Sequence, residues 1–307
     1  MPLWTDIARH ITTATGAPFH CQQSRSAGSG CINESYVIAG DEQRYFVKLN
    51  SAQLSEMFEA EAAGLNEIAT SQTMRVPQVI CHGVSGRQSY LVLEHVAFGR
   101  GNHQSHTQLG RDLARMHRHT AKQFGWYRDN TIGATLQPNQ QSNHWIEFWR
   151  TQRLGHQLQL AAEKGYGGQL QSLGQQLLDS LDNFFIDHQP QPSLLHGDLW
   201  SGNYAIATDG APLIFDPAVY YGDRETDIAM TELFGGFPAE FYRAYNDEYP
   251  LAPGYAQRKQ LYNLYHIINH LNLFGGGYLR LSPLLVIRWG ARHLQRERRP
   301  LIPSSHS

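Results

Sequence analysis

The feature that most constrains this chain is the run His196-Gly197-Asp198-Leu199-Trp200-Ser201-Gly202-Asn203, closed by Ile214-Phe215-Asp216-Pro217. The stretches 193–195 and 213–215 are apolar and short, as buried strands are. Between them a polar loop offers one carboxylate, Asp198, and one amide, Asn203. The second strand delivers another carboxylate, Asp216. Phosphoryl transfer asks for this set. One carboxylate takes the acceptor hydroxyl's proton, while an amide and a second carboxylate hold Mg²⁺ against nucleotide phosphates. Gly-Asp alone is ordinary turn chemistry. The full His-Gly-Asp-x-x-x-x-Asn run with a following strand that ends in Asp is far more specific.

The chain has 307 residues, enough for two lobes and a sizeable core. A net charge of −2 gives no argument for nucleic acid or an anionic membrane as partner. No sequence window approaches a membrane span, and residues 1–6 lack the order of a signal peptide. Three cysteines, Cys21, Cys31 and Cys81, are widely spaced and odd in number. That pattern suits reduced thiols, so a cytoplasmic location is expected.

In chain order, a helix over 3–13 precedes strands over 21–25, 33–39 and 44–49. The small residues Gly28, Ser29 and Gly30 lie between the first two, where backbone N–H groups could approach phosphates. An ordinary hairpin turn explains them equally well. Lys48 sits inside the apolar strand Tyr45-Phe46-Val47-Lys48-Leu49, and alternation alone would allow it to face outward. The next segment, 54–69, has Leu54, Phe58, Leu65 and Ile68 on one helical stripe, with Glu61 on the same stripe. A carboxylate in a buried stripe needs a cation, and Lys48 is the candidate. A Lys–Glu pair of this kind orders the α- and β-phosphates of a nucleotide. Two more strands are expected over 76–80 and 90–93, with residues 83–86 turning between them. Glu94, His95 and Val96 follow where strand signals stop, so they would form a hinge whose backbone binds adenine.

After residue 93 the pattern becomes helical, with segments from 107, over 145–160 and over 169–185. The aromatic stretch 124–127 reads as a loop able to stack on a ligand. Asp227 stands near the start of a short helix, where it could cap that helix or brace the catalytic loop. Residues 262–274 form an almost wholly apolar helix. His266 and His270 lie four apart in it, without the third ligand a metal would need. A satisfied core histidine facing the pocket is the simpler reading. The basic stretch 292–299 reads as a solvated helix end.

These residues together resemble the fructosamine kinases, or ketosamine-3-kinases, relatives of the aminoglycoside and choline kinases. The loop 196–203 is similar to that family's catalytic loop, including Trp200. Phe215-Asp216-Pro217-Ala218 stands where protein kinases have Asp-Phe-Gly. Tyr221-Gly222-Asp223-Arg224-Glu225, Phe234-Gly235-Gly236-Phe237-Pro238, Asn269-His270 and Phe274-Gly275 are also similar to family segments. So are Gly28-Ser29-Gly30-Cys31 and Phe58-Glu59-Ala60-Glu61-Ala62, and the likeness runs from about Trp4 to Gly277.

The resemblance implies an α+β, bilobal, protein-kinase-like fold, divided here as a sheet lobe over 1–93 and a helical lobe over 94–307. It implies ATP and Mg²⁺ as cofactors and phosphorylation of a ketosamine's 3-hydroxyl, on a small molecule or a glycated protein lysine. Asp198 would be the base, Asn203 and Asp216 the metal ligands, and Lys48 and Glu61 the phosphate pair. Trp200 and His270 would line the acceptor pocket. Little more than ten residues separate Asp216 from Asp227, which leaves no long activation segment to cradle a peptide. A kinase of an aminoglycoside- or choline-like amine and a silent nucleotide-binding scaffold are the rival readings. Cys31, in the loop over the phosphates, is a candidate for oxidation and for a bridge between two chains that would otherwise be monomers.

Overall fold

The computed structural model describes residues 3–29 and 32–278. Gly30 and Cys31, with the oxidation expected at Cys31, lie outside the described residues, as does the basic stretch 292–299. Alternation builds the first lobe. Helix α1 (Leu3–Thr15) precedes strands β1 (Gln23–Ser29), β2 (Glu34–Ala39) and β3 (Arg44–Ser51). Helix α2 (Ser55–Thr70) then leads to β4 (Val79–Ser85) and β5 (Gln88–Glu94). The strands form one antiparallel sheet in the order β1-β2-β3-β5-β4. One face packs Ile38, Tyr45, Val47 and Val92 against Ile7 and Ile11 of α1. The other packs Leu91 and Leu93 against Phe58 and Leu65 of α2. Strand period two turns Lys48 away from Val47 and Leu49, onto the α2 face.

Several boundaries differ from the sequence reading. Gly28 is no free loop residue, because it pairs with Ser35 inside β1, just after a bulge. Leu54 is 44% exposed and precedes α2, so the buried stripe begins at Phe58. The β4–β5 turn starts later than residue 83, since Gly83 is paired with Tyr90. At Gly28 and Gly83, pairing extends the strand through residues whose composition reads as a turn.

Residues 95–102 cross to the second lobe and dock on its edge. Gly99 N–H donates to Ile206 O at 2.7 Å, and Thr208 N–H donates to Ala97 O at 3.0 Å. Helix α3 (His103–His117) begins there, earlier than residue 107, because Asn102 and Ser105 form a capping box. A hairpin absent from the sequence reading follows, β6 (Asn130–Ile132) with β7 (Thr135–Gln137). Helix α4 (Trp145–Phe148) runs through a π-turn (Trp149–Leu154) into α5 (Gly155–Glu163). Helix α6 (Gln169–Asp179) stops short of residue 185, giving way to a 3₁₀ turn over Leu181–Phe184.

Strand β8 (Ser193–Leu195) pairs with β11 (Tyr220–Gly222), and between them the hairpin β9 (Tyr204–Ile206)–β10 (Pro212–Ile214) projects. Helices α7 (Glu225–Thr231), α8 (Ala239–Glu248) and α9 (Tyr255–Phe274) complete the described lobe. The core joins Trp145, Phe148 and Trp149 to Tyr262, Tyr265 and Leu271 of α9. Phe124 and Trp126 are buried in it at 5% and 3% exposure, which removes them as ligand-stacking groups. Their aromatic content serves the core, and only Tyr127 is exposed.

Candidate active site

The loop over 196–203 is suspended between β8 and β9, and its shape depends on Gly197. There φ is +83°, and a Cβ would stand 2.0 Å from Ala218 O. Only glycine fits so close to the segment that follows Asp216. His196 ties the two carboxylate segments together. Its Nε2–H donates to Phe215 O at 2.9 Å, and its Nδ1 accepts from the Asp198 N–H at 3.2 Å. Burial pushes the imidazole pKa down, which keeps this neutral tautomer in place. Asp227 settles between the two roles open to it by bracing the loop: its carboxylate accepts from His196 N–H at 2.7 Å and Gly197 N–H at 2.9 Å.

Asp198 itself lies partly buried with no cation hydrogen-bonded to its carboxylate among the described residues. Burial, then the charges of Asp216 and Asp227, raise its pKa to about 7, against a smaller lowering by Asn203. The Asn203 amide N–H₂ donates to Asp198 O at 2.9 Å and reaches Asp198 Oδ2 at 3.4 Å. That assignment leaves the amide oxygen to offer a cation.

Across the cleft, Lys48 Nζ lies 2.6 Å from Glu61 Oε1 and 2.6 Å from Asp216 Oδ1. Burial favours losing the Lys48 proton, but the two carboxylates more than offset it and hold the ammonium charged. Burial, opposed by Lys48 and aided by Asp216, leaves Glu61 easier to protonate than an ordinary glutamate. Asp216 is 44% exposed at its side chain and has φ +59°, in the left-handed region. A non-glycine residue there costs about 1–3 kcal/mol, which surrounding contacts must offset. Two are visible. Gln137 donates to Ala218 O at 3.1 Å, and Asn130 donates to Val219 O at 2.7 Å.

A cavity of about 520 Å³ joins the two sides, and Lys48, Glu61, Asp198, Trp200, Asn203, Asp216 and His270 all line it. Gly28 and the residues expected to form a hinge, Glu94, His95 and Val96, are not among its lining. The Glu94 carboxylate turns instead to Gln78 N–H at 3.2 Å and Arg75 at 3.4 Å. Burial, with Arg44 and Arg25 nearby, keeps the His95 pKa low. One end of the cavity is aromatic. The Trp200 ring covers Gly202, where a Cβ would meet it at 2.3 Å. Phe234 packs on His270 at 4.9 Å between centroids, and His270 on Phe274 at 5.6 Å.

His270 Nδ1–H donates to His266 O at 2.8 Å, so the two histidines do not face a shared metal. His270, so bonded and lining the cavity, is the satisfied histidine facing the pocket that was expected, whereas His266 is buried and its Nδ1 finds no partner among the described residues. Asn130, Phe234, Asn269 and Phe274 are pocket residues that residue-type reasoning did not select. The last three stand in segments similar to the fructosamine kinases, the signal that could have marked them.

An antiparallel sheet lobe hinged to a helical lobe, with a Lys–Glu–Asp cluster facing an Asp–Asn loop, defines a kinase of protein-kinase-like fold. Solved structures agree on the fold. The aminoglycoside phosphotransferase APH(4)-Ia superposes with TM-score 0.58 at 15% identity, covering 92% of this chain and 99% of its own. A candidate fructosamine-3-kinase from Haemophilus somnus 129PT reaches TM-score 0.86 at 33% identity, covering 93% and 97%. The chain belongs to the fructosamine kinase family, whose model matches residues 3–287. A probable ketoamine kinase of Synechocystis sp. is 54% identical over 276 residues, 90% of this chain and 92% of the relative. The chloroplastic protein-ribulosamine 3-kinase of Arabidopsis thaliana is 42% identical over 265 residues, 85% of this chain and 80% of the relative.

Proposed function

We propose that this chain is an ATP-dependent kinase of ketosamines that phosphorylates the sugar's 3-hydroxyl. The observation that carries the reading is the single cavity in which Asp198 meets the Lys48–Asp216 pair at one side and an aromatic wall at another. Relatives described as ketoamine kinases and protein-ribulosamine 3-kinases support the acceptor class.

In this reading Asp198 accepts the proton of the acceptor hydroxyl, whose oxygen attacks the γ-phosphorus of ATP as ADP departs. A carboxyl raised to about 7 is a stronger base than an ordinary aspartate, which suits it to a hydroxyl. Lys48, held by Glu61, orders the α- and β-phosphates, and the backbone of residues 94–96 meets adenine. Asn203 and Asp216 offer one amide oxygen and one carboxylate, a donor set that fits Mg²⁺. When bound, Mg²⁺ supplies neutralising charge at the phosphates. Trp200 and His270, joined by Phe234 and Phe274, present flat apolar faces to the sugar or its amine substituent. The resulting 3-phosphate is prone to eliminate and free the amine, so the reaction removes glycation from free amines or protein lysines. A cytoplasmic setting suits this use of ATP.

Coupled ADP release should be measured with ribulose-lysine, fructose-lysine, an aminoglycoside and choline, with phosphorus NMR of the product. Turnover of a ketosamine to its 3-phosphate is expected. Turnover of the aminoglycoside or choline alone would overturn the acceptor assignment. Nucleotide binding with no turnover of any acceptor would make the chain a scaffold.

A further inference from the structure

Behind the catalytic loop lies a buried polar chain that the chemistry above does not use. His117, in the last turn of α3, is fully buried. Its Nε2 is 3.2 Å from Asp227 Oδ2, and its Nδ1 is 2.8 Å from the Tyr245 hydroxyl on α8. That hydroxyl also accepts from Arg224 Nη1 at 2.8 Å, while the same guanidinium donates to the carbonyls of Tyr249 and Pro250. The ionised Asp227 carboxylate can only accept, so Nε2 of a neutral His117 carries the proton and Nδ1 accepts the Tyr245 O–H, while the Tyr245 oxygen accepts from Arg224. The ring's proton is thereby fixed on Nε2, aimed at Asp227. Burial drives the His117 pKa down, so the ring is neutral in this tautomer.

The direction of every bond is set: Arg224 to Tyr245, Tyr245 to His117, His117 to Asp227. Asp227 then accepts the backbone N–H groups of His196 and Gly197, the two residues before Asp198. Holding α3, α7 and α8 together needs no such chain, since apolar side chains pack helices at least as well as buried polar groups. We propose that His117 and Tyr245 are positioning residues for Asp198: they lock the Asp227 carboxylate in the orientation that fixes the loop backbone. Neither touches a reacting atom. Each Asp227 oxygen already accepts one backbone N–H, and the His117 bond adds a third anchor at Oδ2; small misplacement of a catalytic group is costly to rate.

The inference rests on Asp198 as the base, so Asp198→Asn is the control. His117→Met keeps volume and removes the donor, His117→Gln returns an amide N–H near Nε2, and Tyr245→Phe deletes one hydroxyl. For His117→Met, kcat should fall about 10- to 100-fold while KM for ATP and the nucleotide Kd change less than about 2-fold. His117→Gln should recover most of that loss, and Tyr245→Phe should lose about 3- to 10-fold in kcat alone. Circular dichroism checks folding, and Tyr245→Phe carries the test if His117→Met does not fold.

Wild-type kcat in a folded His117→Met, or in Tyr245→Phe, overturns the proposal. So does a parallel loss of kcat and nucleotide binding that His117→Gln fails to rescue, which marks a purely structural role. Full turnover in Asp198→Asn would instead overturn the base itself. An inactive Asp198→Asn beside unaffected His117 and Tyr245 variants would sink only this inference.

Discussion

The two sides of the cleft are held by opposite means. On the sheet side, Lys48 is saturated by two carboxylates, each 2.6 Å from its ammonium. On the loop side, Asp198 has amide contacts from Asn203 and a neutral histidine behind its backbone. Ion pairing on the first side keeps the Lys48 ammonium charged. On the second side no cation bonds Asp198 among the described residues; Asn203 and the Asp227-braced loop position it and leave its carboxyl with a pKa raised to about 7, as the proposed base requires. The proposed nucleotide anchor and proton acceptor thus sit in different electrostatic surroundings within one cavity.

The sharpest way to break this contrast is to neutralise each side in turn. Asp198→Asn should lower kcat by about 10³-fold or more while nucleotide affinity stays within about 2-fold. Asp216→Asn should weaken Mg²⁺-dependent nucleotide binding as well, because Asp216 also faces Lys48. Turnover assays with calorimetric ATP titration compare the two, and equal loss of binding in both would erase the distinction.

Removing the cation should cost stability as well as function. Lys48→Met leaves Glu61 and Asp216 without their shared ammonium, and breaking a buried pair in this way costs about 3 kcal/mol. Exposure of Asp216 places the expected loss at the low end of the range for such changes. Urea unfolding should show a lower midpoint for Lys48→Met than for Asp198→Asn.

The pH dependence of stability should separate the sides next. Asp198 has a folded pKa near 7 against an ordinary value of 3.8. Between those values the folded state binds more protons than the unfolded state, so stability falls as pH rises through that window. The cost is fully present above about pH 7, and after allowance for partial exposure amounts to about 2 kcal/mol. Asp198→Asn removes it. In EDTA, the wild type should lose Tm relative to Asp198→Asn on going from pH 4.5 to 7.5, and parallel curves would contradict the raised carboxyl.

The smallest effect belongs to the hinge. The Glu94 side chain is engaged by Arg75 and Gln78 N–H, so adenine would be met by backbone. Glu94→Ala should change KM for ATP by less than about 2-fold and stability by about 0.5 kcal/mol. A tenfold rise in KM would place the carboxylate itself on the nucleotide.

Much of the sheet side was legible because it depends on local periodicity. Period two in β3 and the helical stripe of α2 are enough to bring Lys48 and Glu61, thirteen residues apart, to one interface. Phe124 and Trp126 were misread because an aromatic loop reads alike whether it lines a pocket or fills a core. The β6–β7 hairpin escaped notice because three-residue strands carry almost no alternation. Its Asn130 and Gln137 nevertheless hold the carbonyls that follow Asp216.

The sequence by itself determined the donor set of the site: Asp198, Asn203 and Asp216 at fixed spacing, and the glycine that lets the loop close. Only tertiary structure decided that Lys48 also grips Asp216, 168 residues away. It alone raised the Asp198 pKa, packed Phe234 against His270 along the cavity, and set His117 and Tyr245 behind Asp227. Spacing encodes which groups leave one strand or loop together. Desolvation and the direction of a hydrogen bond depend on every neighbour that packing brings in from elsewhere in the chain.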